Sequence, residues 1–319
     1  MLCLANSLPK YKINGEENRW ADYIELKCLD SNDREIGVSD LIEEYQQNLE
    51  SSITQGSNEH LVKYDELYDR ISNFFSYIKS RRHAFGGYYP FHIEEYTTLC
   101  LNSDLNENQL LYLYLLHAAN SSLINKTLQY SFRIGFETFS KIVLSAMLPS
   151  EAECHIFGTG RDESIFNGSL VDRMKKLADI LGVKICDDYI SGVKTSATGG
   201  DGGIDLFAFY PIDKQKGMPF ALCQCACSYS DWENKQHSIG QSKMKEILYG
   251  LPPYLQMTFV PCNLHDIELH WDEPYKILTC VIDRYRLIEI IQQTGIQNYF
   301  SDCEKLKVPF DAIKAQYYT

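Results

Sequence analysis

The residues best suited to chemistry lie in a glycine-rich run, Gly199-Gly200-Asp201-Gly202-Gly203-Ile204-Asp205-Leu206. Four glycines in five residues give a backbone that turns tightly and lets a ligand approach closely. A strand pattern follows over Ile204–Tyr210, so Asp205 stands at the mouth of a strand with Leu206 facing the other way. A second strand pattern, Phe220–Cys227, follows the polar turn Ile212–Gly217. A hairpin of the two puts Asp205 beside Gln224 at one end of a sheet. A buried amide needs hydrogen-bond partners, so Gln224 is hard to explain as core. Carboxylate and amide side by side offer oxygen donors and a hydrogen-bonding pair.

Cys223, Cys225 and Cys227 fall on the opposite face of that second strand. Alternate residues of a strand are about 7 Å apart. Zinc–sulfur bonds are about 2.3 Å, so one zinc ion cannot take all three from a regular strand. They read as small buried hydrophobes. Other constellations fail. His92-x-Glu94 with Pro261-Cys262-x-x-His265 echoes a zinc deaminase signature, but the separation is too long and the last cysteine is missing. There is no Walker A loop, no H-E-x-x-H and no G-x-S-x-G. Gly158-Thr159-Gly160-Arg161 is too short for a phosphate loop. Asp201 also reads as a plain turn residue. Lys79-Ser80-Arg81-Arg82 reads as a solvated cluster at a helix end, favoured there by the helix dipole.

The elements that must position these residues come from hydrophobic spacing. Residues 1–150 are expected to be mainly helical. Helices are expected over residues 60–80, Glu107–Ile124 and Thr127–Leu148, and also from Leu41 to Leu49, with a polar loop over Glu50–Glu59. Pro149-Ser150 punctuates the chain. The texture then changes. Strands are expected at Glu153–Phe157, Val183–Ile190, Met257–Val260 and Ile277–Ile282 besides the central pair. Helices are expected at Leu170–Leu181, closed by Gly182, and at Gln241–Tyr249 and Arg284–Gln293. The expected fold is α/β, with a helical domain over 1–150 and an α/β domain with a central mixed sheet over 151–319.

A helix, then a G-x-D strand, then a Q-C-x strand resembles the PD-(D/E)xK, or restriction-endonuclease-like, nuclease superfamily. The closest look is to its Mrr-like branch, over roughly residues 165–262. That helix supplies an acid in the family, and Asp172 stands ten residues before Gly182. By resemblance, Asp172, Asp205 and Gln224 form a site for Mg²⁺ or Mn²⁺, with the carbonyl of Cys225 as a further ligand. The metal would activate a water and clamp the phosphate oxygens during hydrolysis. The family's lysine position holds Ala226. The family relocates this lysine in places, and Lys235 in Trp232-Glu233-Asn234-Lys235 is the expected replacement, with Lys243 and Lys245 on the next helix. Trp232 reads as packing. The Q-C-A…W-x-x-K arrangement is also similar to uncharacterised proteins of bacterial anti-phage defence loci. The resemblance implies a DNA endonuclease, with an ATPase or helicase subunit, or oligomerisation, for targeting. The alternative is a degenerate nuclease fold that binds without cleaving, which Ala226 favours.

Thirty Lys+Arg stand against 43 Asp+Glu, a net charge of −13 over 319 residues. That excludes a free-standing basic nucleic-acid binder, since phosphate contact rewards positive charge. The apolar run Leu110–Ala119 is about half a membrane span. The start of the chain, MLCLANSLPKYK, lacks the basic segment of a signal peptide. The 11 cysteines read as reduced thiols. A cytoplasmic protein without membrane contact is expected.

Overall fold

The computed structural model describes residues 16–53, 64–158, 164–195, 202–213, 215–296 and 304–317. The chain gathers into two compact units. The first takes the chain up to Tyr130, Asn263–Asp272 and the stretch from Val308; the second holds Ser131–Cys262 and Glu273–Lys307. The boundary expected at residue 150 falls instead within one helix.

The first unit holds α1 (Glu17–Asp30), β1 (Glu35–Gly37), α2 (Val38–Ile53), α3 (Tyr64–Phe85), β2 (Phe91–Glu94), β3 (Thr98–Leu101) and α4 (Glu107–Ala119). The strands form an antiparallel sheet in the order β1-β3-β2. Strands of three or four residues are too short to carry a periodic signal, so the helical expectation passed over them. The loop expected over Glu50–Glu59 is helical as far as Ile53; the rest of it lies outside the described residues.

Helix α3 runs on to Phe85, so Lys79–Arg82 does not end it. Arg81 is no solvated charge but 2% exposed. Its Nη1 lies 2.7 Å from Asp22 Oδ1 and 2.9 Å from Glu25 Oε1, both acids fully buried. Tyr89 and Tyr112 donate to Glu25, and Asn120 donates to Asp22. Burial of these charges is tolerated because each is paired and hydrogen-bonded.

Helix α5 (Lys126–Met147) bridges the boundary. Its residues from Ser131 onward belong to the second unit, in which Ser140 lies against the buried Cys225 thiol. There follow β4 (Glu153–Ile156), α6 (Leu170–Leu181), β5 (Lys184–Ile185), α7 (Asp187–Thr195), β6 (Leu206–Phe209), β7 (Phe220–Cys225), α8 (Trp232–Ser238), α9 (Gln241–Ile247), β8 (Leu248–Tyr249), β9 (Leu255–Phe259), β10 (Cys280–Ile282), α10 (Arg284–Thr294) and α11 (Glu304–Tyr317). The five-stranded sheet has the order β10-β9-β7-β6-β4. β4, β6 and β7 run antiparallel, while β7, β9 and β10 run parallel. A parallel pair needs a crossover, and α8–α9 supplies it between β7 and β9.

Every residue of β7 is buried. On one face Phe207, Phe220 and Leu222 pack with Leu170, Met174 and Leu177 of α6 and Met244 and Ile247 of α9. On the other, Cys225 meets α5. The strand expected over Val183–Ile190 is two residues of β5 followed by α7. Asp187 and Asp188 in the first turn suit a helix start, and they outweigh the short alternation before them. Helix α8, unforeseen, is pinned by Gln236, which accepts from the Leu278 and Thr279 N–H groups and donates to the Lys276 carbonyl. No described helix is long and apolar enough to cross a membrane.

Candidate active site

One residue beyond the ladder pair Leu206↔Cys223, the chain sets Asp205 opposite Gln224. Asp205 is 6% exposed and Gln224 1%. The Gln224 amide Nε2–H donates to Asp205 Oδ2, and the Cys225 backbone N–H donates to the same oxygen at 2.7 Å. The Asp205 backbone is held on both sides. Its N–H donates to the Cys223 carbonyl at 2.9 Å, and its carbonyl accepts from Phe157 N–H at 2.8 Å. The carboxylate is thus fixed in place before any ligand arrives. The expected neighbours Asp205, Gln224 and Cys225 are brought together.

The turn before Asp205 needs its glycines. Gly203 has φ +84°, a conformation costly for other residues, and a Cβ there would stand 2.9 Å from Ser238 Cβ and 3.1 Å from the Ser238 carbonyl oxygen. The same position lies 3.2 Å from Lys243 Nζ, so α9 brings an amine to the turn. Gly199, Gly200 and Asp201 lie outside the described residues, as does Thr159–Arg161.

The three cysteines keep neutral thiols. Burial pushes Cys223, Cys225 and Cys227 all upward. Cys227 maps the charges around the strand end. After burial, Glu137 and Asp205 raise it, while Arg133 and Lys235 lower it. Lys235 and Asp205 therefore act on one thiol. Among the described residues Lys235 forms no ion pair within 4.0 Å. Trp232 is buried, as its packing role requires.

Glu137, which sequence reasoning did not single out, acts on the Cys225 and Cys227 thiols from the sheet face opposite Asp205. It lies on α5, in the stretch assigned to the helical domain, and spacing gives no hint that this helix returns to the sheet. Its only sequence signal is Arg133 one turn earlier, an ordinary helical pair.

Asp172 has a different partner. Its Oδ2 accepts from Ser169 N–H at 3.0 Å and from Ser169 Oγ–H at 2.6 Å, while its own N–H donates to Ser169 Oγ at 3.2 Å. This is a capping box at the start of α6. The hydrogen bonds from Ser169 hold the exposed carboxyl below its usual range. The spacing from Gly182 that singled it out is that of a helix start from its own end.

A divalent cation is what the resemblance implies here. Among the described residues, Asp205 does not gather two more His, Cys or acidic ligand atoms within 4.8 Å. Magnesium, however, is commonly bound by one or two carboxylates and keeps several waters. A buried, oriented carboxylate beside an amide fits that ion in kind. Compared with known proteins, the chain matches no family model, no curated protein and no solved structure.

Proposed function

We propose that the second unit is a restriction-endonuclease-like, Mg²⁺- or Mn²⁺-dependent hydrolase of DNA phosphodiester bonds. The observation that carries this reading is the buried Asp205 carboxylate, held by Gln224 and the Cys225 N–H at the mouth of β6. Residues that would hold the ion are Asp205 and Gln224 through its amide oxygen, with the Cys225 carbonyl at the same strand. When bound, it supplies an activated water and a counter-charge to the phosphate. The chain's residues do the rest. Asp205 is oriented by two donors and does not need to reorganise. Gln224 excludes bulk water from that oxygen. Lys235 and Lys243 supply positive charge near the strand end, in place of the lysine that Ala226 lacks. In this reading Asp172 braces α6.

We assign targeting to a protein partner, such as an ATPase or helicase subunit of an anti-phage defence system, or to self-association. The support is the net charge of −13, which leaves little for phosphate contact. A reducing, cytoplasmic setting suits the nine free cysteines among the described residues.

A second reading has its own observation. Asp172 serves a cap and Ala226 is buried, so a degenerate fold that binds without cleaving is the rival. Mn²⁺ binding separates the two. Titration of the full chain, followed by the electron spin resonance of free Mn²⁺, is expected to show a site that Asp205→Asn weakens at least about tenfold, or about 1.4 kcal/mol. Equal binding by both proteins would remove Asp205 from the site.

A further inference from the structure

A second group of ligand atoms lies in the first unit, on the face of the sheet made by β1, β3 and β2. His92 on β2 is directly opposite Cys100 on β3, and Glu94 is two residues along β2 on the same face. Glu35 on β1 is opposite Cys100 from the other side. One row of the sheet thus reads Glu35, Cys100, His92, with Glu94 beside it. The ligand atoms of His92, Glu94 and Cys100 all lie within 4.8 Å of one another.

The hydrogen bonds around His92 give this cluster its meaning. His92 Nδ1 lies 2.9 Å from Asn102 Oδ1. An amide oxygen only accepts, so His92 Nδ1–H donates to it. Asn102 is itself anchored, its N–H donating to the Pro90 carbonyl at 2.9 Å. Nε2 then faces Glu94 Oε1 at 3.3 Å. That contact is an ion pair when the ring is protonated; with a neutral ring it sets a lone pair against a carboxylate, an arrangement a cation can bridge. Two ligands each about 2.0–2.1 Å from a tetrahedral zinc ion lie about 3.3 Å apart. An imidazole whose second nitrogen is held by a carbonyl-type acceptor is the usual arrangement of a metal-binding histidine.

We propose that His92 Nε2, Glu94 and Cys100 bind a zinc ion on this sheet face, with Glu35 adding negative charge alongside. Imidazole, thiolate and carboxylate together suit zinc better than magnesium or calcium. Burial, Glu94 and Glu35 hold the Cys100 thiol protonated. Binding releases that proton to solvent, leaving the thiolate on the metal. The site is independent of Asp205 and of the reaction proposed there.

Cobalt(II) is the probe, because a thiolate ligand gives it a near-ultraviolet charge-transfer band. The full chain titrated with Co²⁺ is expected to show that band together with tetrahedral visible bands, both displaced by Zn²⁺. Cys100→Ser is expected to abolish the charge-transfer band, and Asp205→Ala to leave it intact. Asn102→Leu keeps all three ligands and is expected to weaken zinc by roughly 10–100-fold. Absence of the band in the wild-type chain overturns the proposal, as does a band that survives in Cys100→Ser. If circular dichroism shows Cys100→Ser misfolded, Glu94→Gln replaces it; its side chain is 61% exposed. Zinc affinity unchanged in Glu94→Gln likewise overturns the site.

Discussion

At the scale of single residues, two aspartates of similar sequence promise have opposite surroundings. Asp205 is buried and held by groups of its neighbouring strand. Asp172 is exposed and bonded to the start of its own helix. Asp172→Asn should therefore keep metal-dependent cleavage while lowering the melting temperature. Loss of cleavage with a normal melting temperature would restore Asp172 to the site. His155 gives a pH test. Burial pushes its imidazole below the ordinary 6.5, with the Glu153 carboxylate opposing. The unfolded chain then takes up the proton first as the pH falls. Stability present above about pH 6.5 is lost as the pH drops through the folded value. Urea midpoints measured from neutral to acid pH should fall, and His155→Gln should flatten part of that slope.

At the scale of elements, a turn, a cap and a buried ion cluster each carry a prediction of their own. Gly203→Ala meets Ser238 and a positive φ, so it should lower stability and displace Asp205 together. Ser169→Ala removes the α6 cap and should cost about 1 kcal/mol in chemical denaturation, with cleavage retained. Arg81→Met leaves Asp22 and Glu25 buried without their cation and should cost about 3–5 kcal/mol. A loss below about 1 kcal/mol there would mean that the acids are neutral in the folded chain. The elements differ in how far sequence exposed them. β6, β7 and α6 were legible because their apolar periods and glycine punctuation are strong. The pairing of Asp205 with Gln224 followed from the hairpin. β1, β2 and β3 were too short to register. α7 was hidden by alternation just before it, and Glu137 by lying on a helix read as wholly within the first domain, whereas the units divide inside that helix after Tyr130.

At the scale of the whole molecule, acidity sets the terms of any contact with nucleic acid. With a net charge of −13, the isolated chain should bind DNA weakly, and the affinity should depend only shallowly on salt. A steep loss of binding between low and moderate salt would reveal a basic groove that the overall balance conceals. One unit presents the Asp205 site, the other the proposed zinc face. The central claim is the hydrolase reading of the first of these. Its most direct test is cleavage of supercoiled plasmid with Mg²⁺ and with Mn²⁺, with the wild-type chain beside Asp205→Ala and Asp172→Asn. Metal-dependent nicking or linearisation is expected, lost in Asp205→Ala and kept in Asp172→Asn. Cleavage that survives Asp205→Ala would contradict that claim.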